Sequence, residues 1–254
     1  MMSAEVRDRG MTSEDFVPDT LRRLWRMAEP ARLGRPATLD IDRVVAAAVD
    51  LADRDGLGGV TLPKVAASLG VTGMSLYRHV GSKDELLVLM ADHALGPPPE
   101  PETGDWRAGL RAWALAQRAV FRRRPWLTRL PASGPPSGPH QIAWMDAGLA
   151  ALAGTRLDWA HKVGVLSLVS GYVMQSARLE SDFADARSEA TAQADVERDY
   201  GRALAALVTP DRFPQAARLF SSTLFEAPPD DASPDADFMF GLDLILDGVT
   251  ARNG

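Results

Sequence analysis

Cysteine is absent from this chain, which removes disulfide cross-links, thiolate nucleophiles and cysteine-bound zinc together. Histidine is scarce: only His79, His93, His140 and His161 occur, and no two stand at the i, i+4 spacing that puts a pair of imidazoles on one metal. No metal site and no cofactor are therefore expected. Long hydrophobic runs are missing too. The most apolar stretch, residues 163–174, is interrupted by Ser167, Ser170 and Gly171 and is too short to cross a bilayer. Residues 1–16 lack the apolar core of a secretory leader. These absences fit a cytoplasmic protein with no membrane role. A catalytic constellation is lacking as well: Glu180, Asp182, Asp185 and Glu189 form an acidic run, but no nucleophile or base accompanies it, and such a run reads as a solvated helix face. The chain is not expected to be an enzyme. Nor is there an excess of positive charge. The formal net charge is −6, and residues 1–95 carry 12 Lys or Arg against 14 Asp or Glu, the opposite of the basic footprint expected of a nucleic-acid binder.

What is present is helical periodicity. With 254 residues and an apolar fraction of 46%, the chain can bury one or two cores. Apolar residues recur at helical spacing and no convincing strand or internal repeat occurs, so an all-α fold is expected. Gly34-Arg35-Pro36 and Thr38 or Asp40 announce a helix over 41–54, with Val44, Val45, Ala48, Val49 and Ala52 on its apolar side. Asp55-Gly56-Leu57-Gly58-Gly59 breaks it; without a following Lys-Ser or Lys-Thr and a preceding strand, these glycines make a turn, not a phosphate loop. Ahead of this helix, Arg22, Arg23, Arg26, Arg32 and Arg35 face only Glu29 between residues 20 and 36. That local surplus either follows a DNA backbone or belongs to a solvated extension.

Residues 61–83, TLPKVAASLGVTGMSLYRHVGSK, read as two short helices joined by a glycine-centred turn. Ala66 is small enough for a second helix to approach closely, and Gly70 can take the left-handed conformation that ends the first helix. Val65, Leu69, Val71, Leu76 and Val80 supply an apolar seam, which leaves Thr72, Gly73, Ser75, Tyr77, Arg78 and His79 to face elsewhere. A second helix so disposed can enter a major groove. Ser82-Lys83-Asp84-Glu85 is a capping box that opens a further helix through Leu95. Gly96-Pro97-Pro98-Pro99-Glu100-Pro101 then stops that helix and starts a stiff connection.

This run of Thr, Leu-x-x-Val-Ala, Leu-Gly-Val, Leu-Tyr-x-His-Val and Lys resembles the tetracycline-repressor (TetR) family of transcriptional regulators. The likeness is firm over residues 38–95 and looser over the rest, where Arg124-Pro125-Trp126-Leu127 and Leu246-Asp247-Gly248-Val249 look like the C-terminal domain of that family. It implies phosphate contacts from Thr61, Tyr77, His79 and Lys83. Thr72, Gly73, Met74, Ser75 and Arg78 are placed by it near base edges; packing and capping within the bundle is the lesser alternative for Tyr77 and His79. Three regions are expected: a basic N-terminal arm over 1–37, a helix-turn-helix domain over 38–95, and a ligand-binding and dimerisation domain over 105–254. The resemblance implies a homodimer on a double-stranded DNA operator, a repressor released by a small-molecule effector. A helical binding module without useful DNA affinity is the alternative, favoured by the acidic balance.

In the C-terminal half, helices are expected from Asp105 to the Arg122-Arg123-Arg124 cluster, over 140–153, from Leu157 beyond Glu180, and over 188–208, 212–222 and 236–252. The arginine cluster complements a helix dipole and Pro125 ends that helix. Trp113, Gln117, His140, Gln141, Trp144, Tyr172 and Gln175 are polar or aromatic groups on otherwise apolar faces and are the candidates for a ligand pocket, with ordinary core as the competing assignment. Phe238, Leu242, Ile245 and Val249 share a helical stripe suited to a dimer seam.

Overall fold

The computed structural model describes residues 16–27, 40–100, 104–131, 134–187, 193–225 and 235–253. Arg32, Arg35, Thr38, Glu189 and most of the proline-rich acidic segment before the last helix lie outside them. The described residues form eleven α-helices and two short 3-10 turns, with no strand among them, as the periodicity requires. None of those helices is long and apolar enough to cross a membrane. The chain divides into two compact units, Met1–Leu166 and Ser167–Gly254.

In the first unit, α1 (Asp19–Leu24) precedes α2 (Ile41–Gly59), α3 (Leu62–Ser68), α4 (Gly73–Val80) and α5 (Lys83–Leu95). The carboxylate of Asp40 caps α2 by accepting from the Arg43 N–H at 2.8 Å. Gly56, at φ 67° and ψ 179°, breaks α2 within its last turn, where the glycine cluster predicted a turn. Val44, Val45, Val65, Leu76, Val80, Leu86 and Met90 have no exposed surface and make the core on which α3 and α4 are held. Each such side chain contributes roughly 1.5–3 kcal/mol by leaving water.

The segment expected to be an arm contains structure. α1 buries Leu24, and Arg23 makes an ion contact of 2.7 Å with Glu85 that is not aligned as a hydrogen bond. Arg26 pairs with Asp42 at 2.7 Å. Arg26 adopts φ 52°, the left-handed region, which costs a non-glycine residue about 1–3 kcal/mol unless its surroundings compensate.

Beyond α5 follow α6 (Trp106–Arg123), a 3-10 turn (Pro125–Arg129) and α7 (Pro139–Ala151). Two polar joints tie them to α2 and α5, which is why the first unit continues past the proline-rich connection. At one, Arg124 Nε donates to Asp53 Oδ2 at 3.1 Å and its Nη1 to the Ala94 carbonyl at 2.9 Å, while Trp126 Nε1 donates to Asp53 Oδ1 at 2.6 Å. The arginine cluster was expected only to complement the dipole of α6; Arg124 instead crosses to α2 and α5. At the other joint, the buried carboxylate of Asp92 accepts the backbone N–H of Gln141 at 2.9 Å and meets His140 Nδ1 at 3.2 Å. A carboxylate oxygen only accepts, so that imidazole nitrogen carries the proton. The neighbouring His93 is held below its usual 6.5, first by burial and then by the charges of Arg124 and His140.

α8 (Trp159–Arg187) leads into the second unit, which also holds α9 (Gln193–Leu207), α10 (Pro214–Phe220) and α11 (Ala236–Asn253). Tyr172 stacks on Phe238 with ring centroids 5.3 Å apart and donates its hydroxyl to the Phe238 carbonyl at 2.9 Å. A Cβ at Gly241 would collide with that phenol, so glycine permits the approach. The seam predicted on α11 is corrected here. Phe238, Leu242 and Val249 are buried inside the protomer with Leu246, Ile245 is half-buried, and the exposed apolar residues are Phe240 and Leu244. Apolar residues nearly encircle α11, so periodicity alone could not say which stripe turns inward.

Gly138, just before α7, would drive any Cβ into the Asp92 carboxylate. Gly138→Ala is expected to lower stability by about 1–3 kcal/mol, an overpacking penalty, measured as a lower urea midpoint with unchanged slope.

Candidate nucleic-acid interface

The geometry of α3 and α4 follows from short-range chemistry. The Thr61 hydroxyl accepts from the Lys64 N–H and the Thr72 hydroxyl from the Ser75 N–H, each at 3.3 Å, so both helices start on a threonine cap. α3 ends in a Schellman motif: Gly70, at φ 67°, donates to Ala67, and Val71 donates to Ala66. Gly81, at φ 70°, ends α4, and the Ser82 hydroxyl accepts from the Glu85 N–H at 3.1 Å to start α5. Caps at all four ends leave little freedom in the corner.

Leu76 and Val80 anchor α4 by one face. Met74 and Arg78, one turn apart, point the opposite way. Met74 is 76% exposed and Tyr77 49% exposed, and Thr72, Arg78 and Lys83 are exposed. Thr61, Gly73, Ser75 and His79 are half-buried at the margin. Among the described residues, Arg78 and Lys83 make no ion pair, whereas Arg23, Arg26 and Arg124 are all engaged by carboxylates. The acidic total thus conceals uncommitted cations on one surface. Lys64, exposed in the first turn of α3 and likewise without an ion pair, adds to that surface and was not anticipated; its place three residues after the capping Thr61 was the available signal. An exposed guanidinium on such a helix can bond bidentately to guanine, the ammonium groups can meet phosphates, and the Met74 thioether can lie against a thymine methyl.

The candidate ligand residues divide between the units. Trp113, Gln117, His140, Gln141 and Trp144 lie in the first; Tyr172, half-buried, and Gln175, exposed, lie in the second. Several polar groups in the first are committed to the protein. Trp113 Nε1 donates to the Trp144 carbonyl at 2.8 Å, and Trp144 Nε1 to the Gly96 carbonyl at 2.9 Å. Gln141 Oε1 accepts from the Ser137 and Gly138 N–H groups at the entry to α7, and His140 faces Asp92. Gln117 differs: it is 6% exposed, and its amide makes no hydrogen bond among the described residues.

Comparison with known proteins places both halves. Residues 44–90 match the family described as bacterial regulatory proteins, tetR family, and residues 98–253 match the tetracyclin repressor-like C-terminal domain. The HTH-type transcriptional repressor DrrR1 of Streptomyces coeruleorubidus is 37% identical over 236 residues, covering 91% of this chain and 84% of that protein. The class A tetracycline repressor protein from transposon 1721 of Escherichia coli is 28% identical over 219 residues, covering 84% and 92%. Among solved structures, the TetR family protein ActR of Streptomyces coelicolor in complex with (S)-DNPA superposes with a TM-score of 0.68 at 28% identity, over 86% of this chain and 100% of that one. The same protein in complex with actinorhodin gives 0.68 at 27%, over 86% and 98%. The caps, the left-handed glycines and the outward face of α4 are therefore parts of a helix-turn-helix reading head, and this chain belongs to the tetR family of bacterial regulatory proteins as a DNA-binding transcriptional regulator.

Proposed function

We propose that the protein is a cytoplasmic homodimeric repressor that sits on a palindromic operator and leaves it when a small molecule binds. The observation that carries this reading is the outward face of α4, where Arg78 and Met74 stand exposed and uncommitted on a helix pinned by Leu76 and Val80. Residues 38–95 read DNA, with Arg78, Met74, Ser75, Gly73 and Thr72 toward base edges and Thr61, Tyr77, His79 and Lys83 toward phosphate. Residues 105–254 take the ligand and pair the protomers. Two heads about 34–36 Å apart, one helical turn of DNA, would meet successive half-sites. The exposed Phe240 and Leu244 of α11 suit pairing with a second copy.

Ligand response is supported by ActR, whose structures contain bound small molecules. In this chain Gln117, one helical turn from Trp113 on α6 and 6% exposed, makes no hydrogen bond among the described residues and is the amide offered to a ligand. Release requires an effector that prefers the DNA-incompetent dimer; a coupling of about 1–3 kcal/mol would weaken operator binding 5- to 150-fold.

The direct test is to incubate the purified protein with fragmented genomic DNA of its source near physiological salt and sequence what is retained. A shared palindrome supports the reading. Fragments without one, or no retention even at low salt, would favour the acidic binding module instead. With an operator in hand, Arg78→Ala should cost about 1–3 kcal/mol and flatten preference at one position, while Lys83→Ala should weaken all sequences alike and reduce the salt slope by about one. Phe240→Asp combined with Leu244→Asp should give a monomer by sedimentation; a stable dimer would remove α11 from the interface.

A further inference from the structure

The segment ahead of the reading head is held from three directions. Arg23 Nη2 reaches Glu85 in the first turn of α5 at 2.7 Å. Arg26 places Nε and Nη2 on Asp42 Oδ1 in the first turn of α2, each at 2.7 Å. The indole Nε1 of Trp25 donates to the Ser137 carbonyl at 2.8 Å, just before α7 begins. Leu24, between these contacts, is 2% exposed and lines a cleft with Asp92, His93 and His140, the groups of the α5–α7 joint. Arg26 also turns Nη1 back to the Arg23 carbonyl at 2.7 Å, closing the end of α1. Its left-handed backbone fits that picture: a side-chain-bearing residue keeps such a conformation only where several contacts over-determine it. Two of the contacts lie on the DNA-reading bundle and one on the loop entering α7, so the segment adds a bridge between the bundle and α7 beside the one that α5 makes through Asp92.

We propose that Leu24–Arg26 form a clasp that fixes the angle of the reading head on α7, and that Trp25 and Arg26 are positioning residues for operator recognition. The inference rests on the homodimeric reading above. A head free to pivot would accept half-sites at more than one separation; a clasped head accepts one. Arg23 and Arg26 serve this purpose from within the protein, so the basic surplus of the segment is not a phosphate-binding arm at these two positions.

The test uses the full chain, the single variants Trp25→Phe and Arg26→Gly, and the double variant. Trp25→Phe removes the indole donor and keeps an aromatic ring; Arg26→Gly removes the guanidinium and tolerates the left-handed backbone. Binding is measured on duplexes carrying the selected half-sites with base pairs added or removed between them. The wild type should favour one separation by about tenfold over its neighbours, and the double variant should reduce that preference to about threefold or less, within the usual range of conformational coupling. Equal losses at every separation would mean that the segment only supports stability, and an unchanged ratio would mean that it does nothing to the head; either overturns the clasp. Failure of the wild type to select any palindrome would instead defeat the homodimeric reading and the spacing role with it. Without DNA, amide hydrogen exchange at residues 137–142 should quicken in the double variant, and unchanged exchange there would also overturn the proposal.

Discussion

A carboxylate taken out of water must be met by donors, and the placement of Asp92 organises much of the first unit. Its oxygens sit on the entry to α7, where they accept a backbone N–H and face the protonated nitrogen of His140. The approach is so close that only glycine fits at position 138. The end of α5 is completed by side chains from further along the chain: the Ala94 carbonyl accepts from Arg124 and the Gly96 carbonyl from Trp144. Carbonyls at a helix C-terminus have no partner within the helix, and here two of them are met by Arg124, just after α6, and by Trp144 of α7. The same bonds that close α5 therefore decide where α7 begins and how the reading bundle meets it.

Electrostatics acts locally in this protein. A net charge of −6 argues against nucleic-acid binding only if charge is spread evenly, and it is not. Arginines near the joints are neutralised within the fold: Arg23 by Glu85, Arg26 by Asp42 and Arg124 by Asp53. Three cations of the helix-turn-helix segment have no ion pair among the described residues: Lys64 in the first turn of α3, Arg78 in the last turn of α4 and Lys83 at the start of α5.

The reading head was legible because its determinants are local. Thr61, Gly70, Thr72 and Ser82 specify caps and a corner within a few residues of one another, and Leu76 and Val80 state which side of α4 is buried; of the expected capping box only the Ser82 half forms, because the Glu85 carboxylate meets Arg23. Gly56 likewise broke α2 where the glycine cluster placed a turn. What the sequence hid depends on distant partners. Arg124 looked like a charge on a helix end because Asp53 lies 71 residues away, and Gln141 looked like a ligand group because its role, receiving the N–H groups of Ser137 and Gly138, emerges only when α7 is built. The helix α1 is only six residues long and is made stable by contacts with Asp42, Glu85 and Ser137, so propensity alone does not announce it. On α11, apolar residues on both sides concealed which stripe was core.

The eight residues of α4 separate two demands that usually compete. Leu76, Val80, the cap at Thr72 and the glycine at 81 hold the helix in place, and none of them is Met74 or Arg78. Exposed positions of that kind can be exchanged with stability changes within about 0.5 kcal/mol. With Met74 and Arg78 as the proposed base readers, operator preference can drift through single substitutions at those two positions without crossing a folding threshold, so a duplicated gene could acquire a new target while inheriting the rest of the fold intact.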